Sequence, residues 1–321
     1  MEYRKLRDLE VSAVGLGCMG FSHGYGAAPD PDDSVRLIRQ AFELGCSHFD
    51  TAEGYGAGDN EVLTGQALKP VRSQVILATK FFIADSTNDD SAEKQIRRHL
   101  DASLERLGTD YVDLYYQHRV SDAIPVEEIA GVMGKLIQEG KIRGWGQSQP
   151  TEEQIRRAHS VTPLTAVQSE YSMMERMFER DVIPACRELN IGFVPFSPLA
   201  SGFLSGTVQP RQKYEGDDVR RVITRFSDEN IRANQPVIDL IRQFAADKKA
   251  SPAQISLAWM LCREDFIAPI PGSRKPERIR ENLGAADIHL DRDEISRLDE
   301  ALNRISVHGN RTDEDISRLY R

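Results

Sequence analysis

The sequence has few cysteines, no long apolar run and no concentrated basic segment, and each absence excludes a class of protein. Cys18, Cys46, Cys186 and Cys262 lie far apart without a C-x-x-C pair, so neither a structural zinc site nor a disulfide framework is indicated. No segment is apolar over enough residues to span a bilayer, and no signal-like run follows Met1, so we expect a cytoplasmic protein outside the membrane. The net charge of -9, without a basic stripe, argues against nucleic-acid binding.

A Tyr-x-x-x-Lys motif, typical of short-chain dehydrogenases, is also absent, and one glycine motif is misleading. Gly15, Gly17 and Gly20 spell G-x-G-x-x-G, the dinucleotide fingerprint of doubly wound folds, which requires a helix directly after the glycines. Further glycines and prolines follow here instead, so this stretch is interpreted as a glycine-rich loop close to a ligand. Such a loop would let Gly17, Cys18 and Met19 line the mouth of a binding site.

Short apolar runs alternate with helix-like segments along the chain. Eight runs are predicted to be strands, at 13–17, 47–50, 75–80, 112–118, 142–148, 164–170, 191–197 and 266–272. Helices are predicted between them, with a longer helical stretch over 228–262 and a last helix that starts near Lys275. Eight strand-then-helix units over this length predict an α/β fold, a closed (β/α)8 TIM barrel, with the whole chain 1–321 as one domain.

Four polar side chains fall where such a barrel has its active site, at the C-terminal ends of its strands. Asp50, Lys80 and His118 end three successive strands, and Tyr55 follows on the loop after the first of them. Lys80, kept charged by Asp50, would lower the pKa of the phenol, so that Tyr55 acts as a proton donor near neutral pH. His118 would orient a carbonyl oxygen beside Tyr55 or relay the proton. The set can protonate an oxygen that gains negative charge, and the hydride for a carbonyl reduction requires a nicotinamide cofactor.

Eight short motifs are spread in order over nearly the whole chain. They read GLGCMG, FDTAEGYG, ILATK, YYQHR, GQSQ, VQSEYS, FSPLASGFLSG and IPGSRKPERIRENL. Together they resemble the aldo-keto reductases, most closely the bacterial and plant branch whose members open with GLGCMG. The resemblance implies an oxidoreductase with an NADP(H) cofactor and a small carbonyl or alcohol substrate. It assigns Asp50, Tyr55, Lys80 and His118 to the catalytic tetrad, with Tyr55 as the general acid.

The resemblance also implies where the cofactor binds. The residues expected to contact it are Gly17, Cys18, Met19, Asp50, Ser148, Gln149, Gln168, Phe196, Ser197, Pro198, Leu199, Ser201, Gly202, Ser273, Arg274, Arg278, Glu281 and Asn282. Ser148, Gln149 and Gln168 match the positions that bind the nicotinamide carboxamide, and Phe196 matches the aromatic residue that stacks on the ring. Two of these depart from the family pattern, because Gln149 replaces an Asn or Glu and Phe196 replaces a common Tyr.

The phosphate groups of the cofactor are expected along two further segments. Residues 197–202 match the loop around the pyrophosphate, where Ser201 stands in place of a frequent Arg. Residues 273–282 match the adenosine end. Arg278, helped by Arg274 or Lys275, would pair with a 2′-phosphate at a helix N-terminus, which favours NADPH over NADH.

Two other functions stay open at this point. One is a regulatory protein that uses a bound nicotinamide as a redox sensor, as potassium-channel β-subunits that resemble this family are thought to do, and slow turnover would favour it. The other is a metal-dependent barrel hydrolase, which needs several His or carboxylate ligands. Only Asp50 and His118 suit that role, and the charge of Lys80 between them would oppose a cation, so no metal site is expected.

The substrate pocket and its cover can be predicted only in outline. The substrate is expected to be an aldehyde, or a ketone, and loop residues Met19, Phe21, Phe81 and Phe82 favour an apolar or aromatic one. The polar stretch 205–227 is interpreted either as a lid over the cofactor or as a plain surface loop. The oligomeric state is left open by the sequence.

Overall fold

The computed structural model of the chain describes residues 2–83, 91–120 and 123–311. Its strands are β1 (Tyr3–Leu6), β2 (Leu9–Ser12), β3 (Leu16–Gly17), β4 (His48–Asp50), β5 (Ile76–Phe81), β6 (Val112–Gln117), β7 (Ile142–Ser148), β8 (Ala166–Glu170) and β9 (Gly192–Phe196). Its helices are α1 (Pro31–Glu43), α2 (Asp59–Leu68), α3 (Ala92–Leu107), α4 (Val126–Gln138), α5 (Glu152–Val161), α6 (Val182–Glu188), α7 (Asp228–Ala233), α8 (Gln235–Lys248), α9 (Pro252–Leu261), α10 (Pro276–Leu283) and α11 (Arg292–Leu302). Strands and helices alternate from β3 onward, as the sequence pattern predicts.

Strands β3 to β9 form one parallel sheet in chain order, and the eighth predicted strand closes it into a barrel. This closing segment, 266–272, pairs with β9 through the N–H groups of Ala268 and Ile270. On its other side, Gly15 and Gly17 donate to the carbonyl groups of its two prolines. Proline has no N–H, so these two positions return no hydrogen bond toward β3 and the ladder is incomplete there. The predicted (β/α)8 barrel is confirmed.

An N-terminal hairpin, absent from the sequence prediction, covers one end of the barrel. Strands β1 and β2 pair antiparallel. Leu6, Leu9 and Val11 of this hairpin are buried in one cluster with inward-facing barrel residues, among them Leu114 and Val194. Because this apolar cluster fills the N-terminal end, the opposite end of the barrel is left for polar side chains.

The helices begin where side chains can bond to their free backbone N–H groups. Asp30 accepts from two N–H groups of the first turn of α1, and Ser91 accepts from one in α3. Gly108 ends α3 with a φ of 63°, a left-handed conformation that glycine adopts without strain. Capping boxes start three more helices, at Thr151, Ser251 and Asp291.

The last third of the chain holds more helices than the sequence pattern indicated. The stretch 228–262 is divided into α7, α8 and α9, since Lys249 turns left-handed and Pro252 begins a new helix after Ser251. Helix α11 lies in a segment that was not predicted to be helical. Within the described ranges, none of the helices combines the length and the apolar character needed to cross a membrane.

Candidate active site

The C-terminal ends of β4, β5 and β6 bring the four predicted catalytic side chains together. Lys80 Nζ lies 2.5 Å from Asp50 Oδ1 and 3.4 Å from Tyr55 Oη. Lys80 also donates to the carbonyl of Thr51 at 2.7 Å. The Tyr55 and His118 rings meet edge to face, with centroids 5.8 Å apart. Lys80 is fully buried, whereas the other three line one cavity, so the phenol stands between the buried ammonium and open space.

Burial and neighbouring charges set the protonation states of Lys80 and His118. Burial alone would lower the pKa of Lys80, but the charge and hydrogen bonds of Asp50 and Tyr55 outweigh it and raise that pKa above its ordinary value. Burial, together with the positive charges of Lys80 and Arg119, holds the pKa of His118 well below its usual range. At neutral pH the lysine is therefore an ammonium and His118 is a neutral imidazole with one N–H to donate.

Glycines shape the turn that carries Tyr55. The turn Tyr55–Gly58 places Gly56 and Gly58 at φ of 59° and 100°, in the left-handed region that favours glycine. A Cβ at Gly58 would lie 2.7 Å from the Arg106 side chain, so the turn packs closely on α3. The sequence GYGAG thus allows the chain to bend sharply between β4 and α2.

The buried side-chain amide of Asn60, which the sequence prediction missed, holds this turn against the neighbouring loops. Asn60, at the start of α2, has no exposed surface. Its Oδ1 accepts from the Thr51 hydroxyl at 2.6 Å, and its Nδ2 donates to the Cys18 carbonyl at 2.9 Å and to the Ser22 hydroxyl at 2.8 Å. Since Thr51 also supplies a carbonyl to Lys80, Asn60 links the glycine-rich loop, the end of β4 and the Tyr55 turn.

A cavity of about 440 Å³ extends from this cluster over the C-terminal face of the barrel. The predicted cofactor contacts that line it are Gly17, Met19, Asp50, Ser148, Gln168, Phe196, Ser197, Pro198, Leu199, Ser201, Gly202, Ser273 and Arg274. Those that lie outside its lining are Cys18, Gln149, Arg278, Glu281 and Asn282. Most of the predicted set therefore shares one space with Tyr55 and His118.

The end of the cavity beside Tyr55 is lined by amide, hydroxyl and aromatic groups. Gln168 donates from Nε2 to Asp50 Oδ2 at 2.8 Å, which connects the predicted carboxamide site to the Lys80 pair. Ser148 accepts a hydrogen bond from Arg119 at 3.2 Å. Gln149 points elsewhere, because its φ of 59° turns the chain and its Oε1 faces the backbone N–H of Glu170.

The next part of the wall, 197–202, is an irregular loop whose backbone faces the cavity. Ser197, Ala200 and Ser201 have φ of 47°, 49° and 56°, and Gly202 has a φ of 94°. The N–H groups of Ala200 and Gly202 donate to the Ser197 and Leu199 carbonyl groups at 2.8 and 2.9 Å, so the loop folds into successive tight turns. Ser201 is buried in this loop.

Of the basic residues predicted for the adenosine phosphate, Arg274 and Lys275 line the far end of the cavity, and Arg278 lies outside its lining. Arg274 donates to the backbone carbonyl groups of Tyr25 and Ala27, so it braces the glycine-rich loop. Arg278 forms an ion pair with Glu281 at 2.6 Å in the first turns of α10. Lys275 lines the cavity directly.

The stretch 205–227 crosses the cavity and joins the glycine-rich loop. The Asp217 carboxylate accepts from the backbone N–H groups of Gly24 and Gly26 at 2.7 and 2.9 Å. Val219 donates to the Gly24 carbonyl at 3.0 Å, and Val219 itself lines the cavity. This geometry matches the lid interpretation better than that of a plain surface loop.

The comparison with family models decides the family. The model of the Aldo/keto reductase family matches residues 13–303. The chain belongs to the aldo/keto reductase family. It is 38% identical over 310 residues to Probable aldo-keto reductase 1 of Glycine max, across 95% of this chain and 89% of that protein.

Solved structures of other aldo-keto reductases share the fold. The glycerol dehydrogenase AKR11B4 from Gluconobacter oxydans has a TM-score of 0.83 at 27% identity, covering 95% of this chain and 96% of that one. An aldo/keto reductase from Klebsiella pneumoniae, solved in complex with NADP and acetate, has a TM-score of 0.73 at 28% identity, covering 96% and 97%. Both similarities extend over nearly the whole barrel.

The cavity of this aldo-keto reductase also includes residues that the sequence prediction did not select. Among them are His23, Tyr25, Arg119, Val219, Arg220 and Arg311. Arg119 had a signal, since it directly follows His118, and Val219 and Arg220 lie in the stretch 205–227 that was interpreted as a lid or a surface loop. Of the residues expected to form an apolar pocket, Met19 lines the cavity, while Phe21 and Phe81 are buried in the core and Phe82 is half exposed. In the described part of the chain, no three His, Cys, Asp or Glu side chains gather as metal ligands would.

Proposed function

We propose that this protein reduces aldehydes, and ketones as a second class, to alcohols with NADPH, and that Tyr55 is the general acid. The observation that carries the proposal is the position of the Tyr55 hydroxyl, 3.4 Å from the ammonium of Lys80, on the wall of the cavity that Phe196 also lines. The related Klebsiella pneumoniae enzyme was solved with NADP bound, which supports the choice of cofactor.

The residues of the cavity suit a nicotinamide dinucleotide. Phe196 offers an aromatic face, and Ser148 and Gln168 offer polar groups beside it. The loop 197–202 offers the polar residues Ser197 and Ser201, and Lys275 offers a positive charge at the far end. When bound, the cofactor supplies the hydride that reduces the carbonyl carbon.

The chain's own residues would handle the oxygen and its proton. The neutral imidazole of His118 donates a hydrogen bond to the carbonyl oxygen and orients it toward Tyr55. Tyr55 donates its proton to that oxygen as negative charge develops there. The Lys80 ammonium, held by Asp50, then stabilises the phenolate that Tyr55 becomes, because unlike charges attract strongly in a buried site.

The Tyr55→Phe variant tests this mechanism, because it removes the proton and keeps the ring. Aldehyde-dependent oxidation of NADPH should fall by about 10²–10⁴-fold, the usual contribution of a general acid. NADPH affinity, measured by fluorescence titration, should change little. Tyr3→Phe, an exposed tyrosine on the hairpin, is the matched control.

A Tyr55→Phe variant with wild-type rate would contradict the mechanism. If the unmodified protein binds NADPH tightly but reduces no carbonyl compound, the redox-sensor alternative replaces the enzyme. All four cysteines are unpaired thiols, which supports a reducing compartment such as the cytoplasm as the place of action.

A further inference from the structure

Glu53 lies in the short segment that leads from Asp50 to Tyr55, and its carboxylate binds two groups outside that segment. Oε1 accepts from the backbone N–H of Phe82 at 2.8 Å, and Oε2 lies 2.8 Å from Nδ1 of His99. Because a carboxylate only accepts hydrogen bonds, the His99 ring is the donor. One side chain thus connects the segment before Tyr55 to the residue that follows β5 and to α3.

The backbone of the same segment is paired with β5 as well. The N–H groups of Thr51 and Glu53 donate to the carbonyl groups of Ala78 and Lys80, at 2.9 and 3.2 Å. These bonds extend the parallel pairing of β4 with β5 beyond the end of β4. The Glu53 carboxylate adds a further bond at Phe82. The segment is therefore held to β5 by its backbone and, past the last of those bonds, by one side chain.

This side chain stands close to both groups of the proposed proton transfer. Glu53 precedes Tyr55 by two residues, and Phe82 follows Lys80 by two. Lys80 Nζ and Tyr55 Oη are 3.4 Å apart, near the upper limit for a hydrogen bond. A small separation of the two segments would break that contact, and the bond between Glu53 and Phe82 opposes such a separation.

The position of the Glu53 carboxylate is itself fixed. The side chain of Glu53 is 14% exposed and that of His99 is 28% exposed, so water competes only partly for their contact. His99 belongs to α3, which is anchored in the core by the buried Ile96 and Leu100. Hydrogen bonds to an ionised group are roughly twice as strong as those between neutral groups. The helix therefore gives the carboxylate a firm partner.

Asn60 does not duplicate this connection. Its described partners are Thr51, Cys18 and Ser22, so it ties the Tyr55 turn to the glycine-rich loop. Glu53 ties the chain before that turn to β5 instead. The two side chains restrain the same turn from different directions, and the loss of one leaves the other in place.

We propose that Glu53 is a positioning residue for Tyr55, and that its bonds to Phe82 and His99 keep the Tyr55 hydroxyl beside the Lys80 ammonium. In this role Glu53 acts through the backbone and touches neither substrate nor cofactor. The inference rests on the proposed reductase function and adds to it a residue outside the predicted tetrad.

The test separates the reach of the side chain from its charge. Glu53→Gln loses the charge but keeps the length, and its amide accepts from Phe82 and donates to the other tautomer of His99. Glu53→Asp keeps the charge but is one methylene shorter, so it cannot make both bonds. A displacement of about 1 Å at a reacting group costs on the order of 10²-fold in rate, so kcat for aldehyde reduction should fall by about 10–100-fold in Glu53→Asp and in Glu53→Ala. Glu53→Gln should keep most of the rate.

Two further readouts distinguish positioning from damage to the fold. Calorimetric titration with NADPH counts the binding sites per chain, and their number and affinity should match those of the unmodified protein in every variant. The solvent isotope effect on kcat should rise in Glu53→Asp and Glu53→Ala, because proton transfer from Tyr55 becomes slower. Glu188→Ala is the matched control, since it removes a 61% exposed carboxylate that also accepts two hydrogen bonds, both from Arg156.

The outcomes distinguish a wrong role for Glu53 from a wrong function. An unchanged kcat per NADPH site in Glu53→Asp and Glu53→Ala would overturn this inference and leave the reductase function standing. Equal losses in Glu53→Gln and Glu53→Asp would also overturn it, because reach would then not be the decisive property. So would a rate that falls only in proportion to the number of NADPH sites. If the unmodified protein reduces no carbonyl compound, the proposed function fails and the positioning role fails with it.

Discussion

The buried amide of Asn60 allows a quantitative prediction that joins stability to catalysis. Asn60→Ala removes three hydrogen bonds of 2.6 to 2.9 Å in a position without exposed surface. Leaving a buried group without its partner costs about 1–3 kcal/mol, so three lost bonds should lower the free energy of unfolding by about 3–5 kcal/mol. With an m value near 3 kcal/mol per M, the urea midpoint would shift down by about 1–1.7 M.

The same substitution should impair turnover, because it releases the turn that carries Tyr55. A displacement of about 1 Å at a reacting group can cost on the order of 10²-fold in rate, so kcat for aldehyde reduction should fall by about 10–100-fold. Affinity for NADPH should change much less, since Asn60 lies behind the cavity wall. Asn60→Asp, which keeps the shape but loses the donor to the Cys18 carbonyl, should show the same pattern.

Asn303→Ala is the matched control, because Asn303 is exposed and its one described side-chain hydrogen bond is to Arg176. It should shift the urea midpoint by no more than a few tenths of a molar unit. A large loss of stability in Asn60→Ala with unchanged kcat would refute the positioning argument, and an unchanged midpoint would refute the energetic one.

Two further predictions concern pH and the choice of cofactor. Burial holds the pKa of His48 at about 4, whereas the unfolded chain protonates it near 6.5. The unfolded state therefore binds more protons between these values. The contribution of neutral His48 to the free energy of unfolding is complete above about pH 6.5 and is lost as the pH falls toward 4, and the loss reaches about 2 kcal/mol at pH 5. Urea unfolding at pH 7 and 5 measures the loss, and an equal loss in His48→Leu would contradict it. Arg278→Ala should raise KM for NADPH by about 10–100-fold and KM for NADH far less. Arg280→Ala, at an exposed position of the same helix, is the control. Equal effects of Arg278→Ala on both cofactors would rule out the 2′-phosphate role.

The barrel and the position of its polar cluster follow from local patterns, which explains why both could be predicted. Eight apolar runs, each followed by a helix, define the order of the parallel strands. In a parallel sheet all C-terminal ends lie at one edge, so Asp50, Lys80 and His118 had to meet once the strands were recognised. Tyr55 joined them because only the short segment 51–54 separates it from β4.

What escaped prediction depends on contacts between distant parts of the chain. Arg311 reaches the cavity from the C-terminal segment through Glu170, 141 residues earlier, and no periodic pattern encodes that contact. Asn60 resembled an ordinary residue at the start of a helix, since its three partners come from two other loops. Gln149 was expected beside the carboxamide, but its left-handed backbone directs the side chain away from the cavity lining.

The two prolines in the closing segment determine how the ring is completed as the chain is made. Strands β3 to β9 leave the ribosome before residues 266–272, so the nascent sheet keeps two open edges until this segment is made. Open sheet edges are the usual starting point of aggregation, and a chain cut short before this segment would retain both. When the closing segment arrives, its prolines leave it fewer bonds to β3 than to β9. The pairing of β3 with the closing segment is thus the last strand pairing that the barrel can form, and it has fewer hydrogen bonds than the pairing of the same segment with β9.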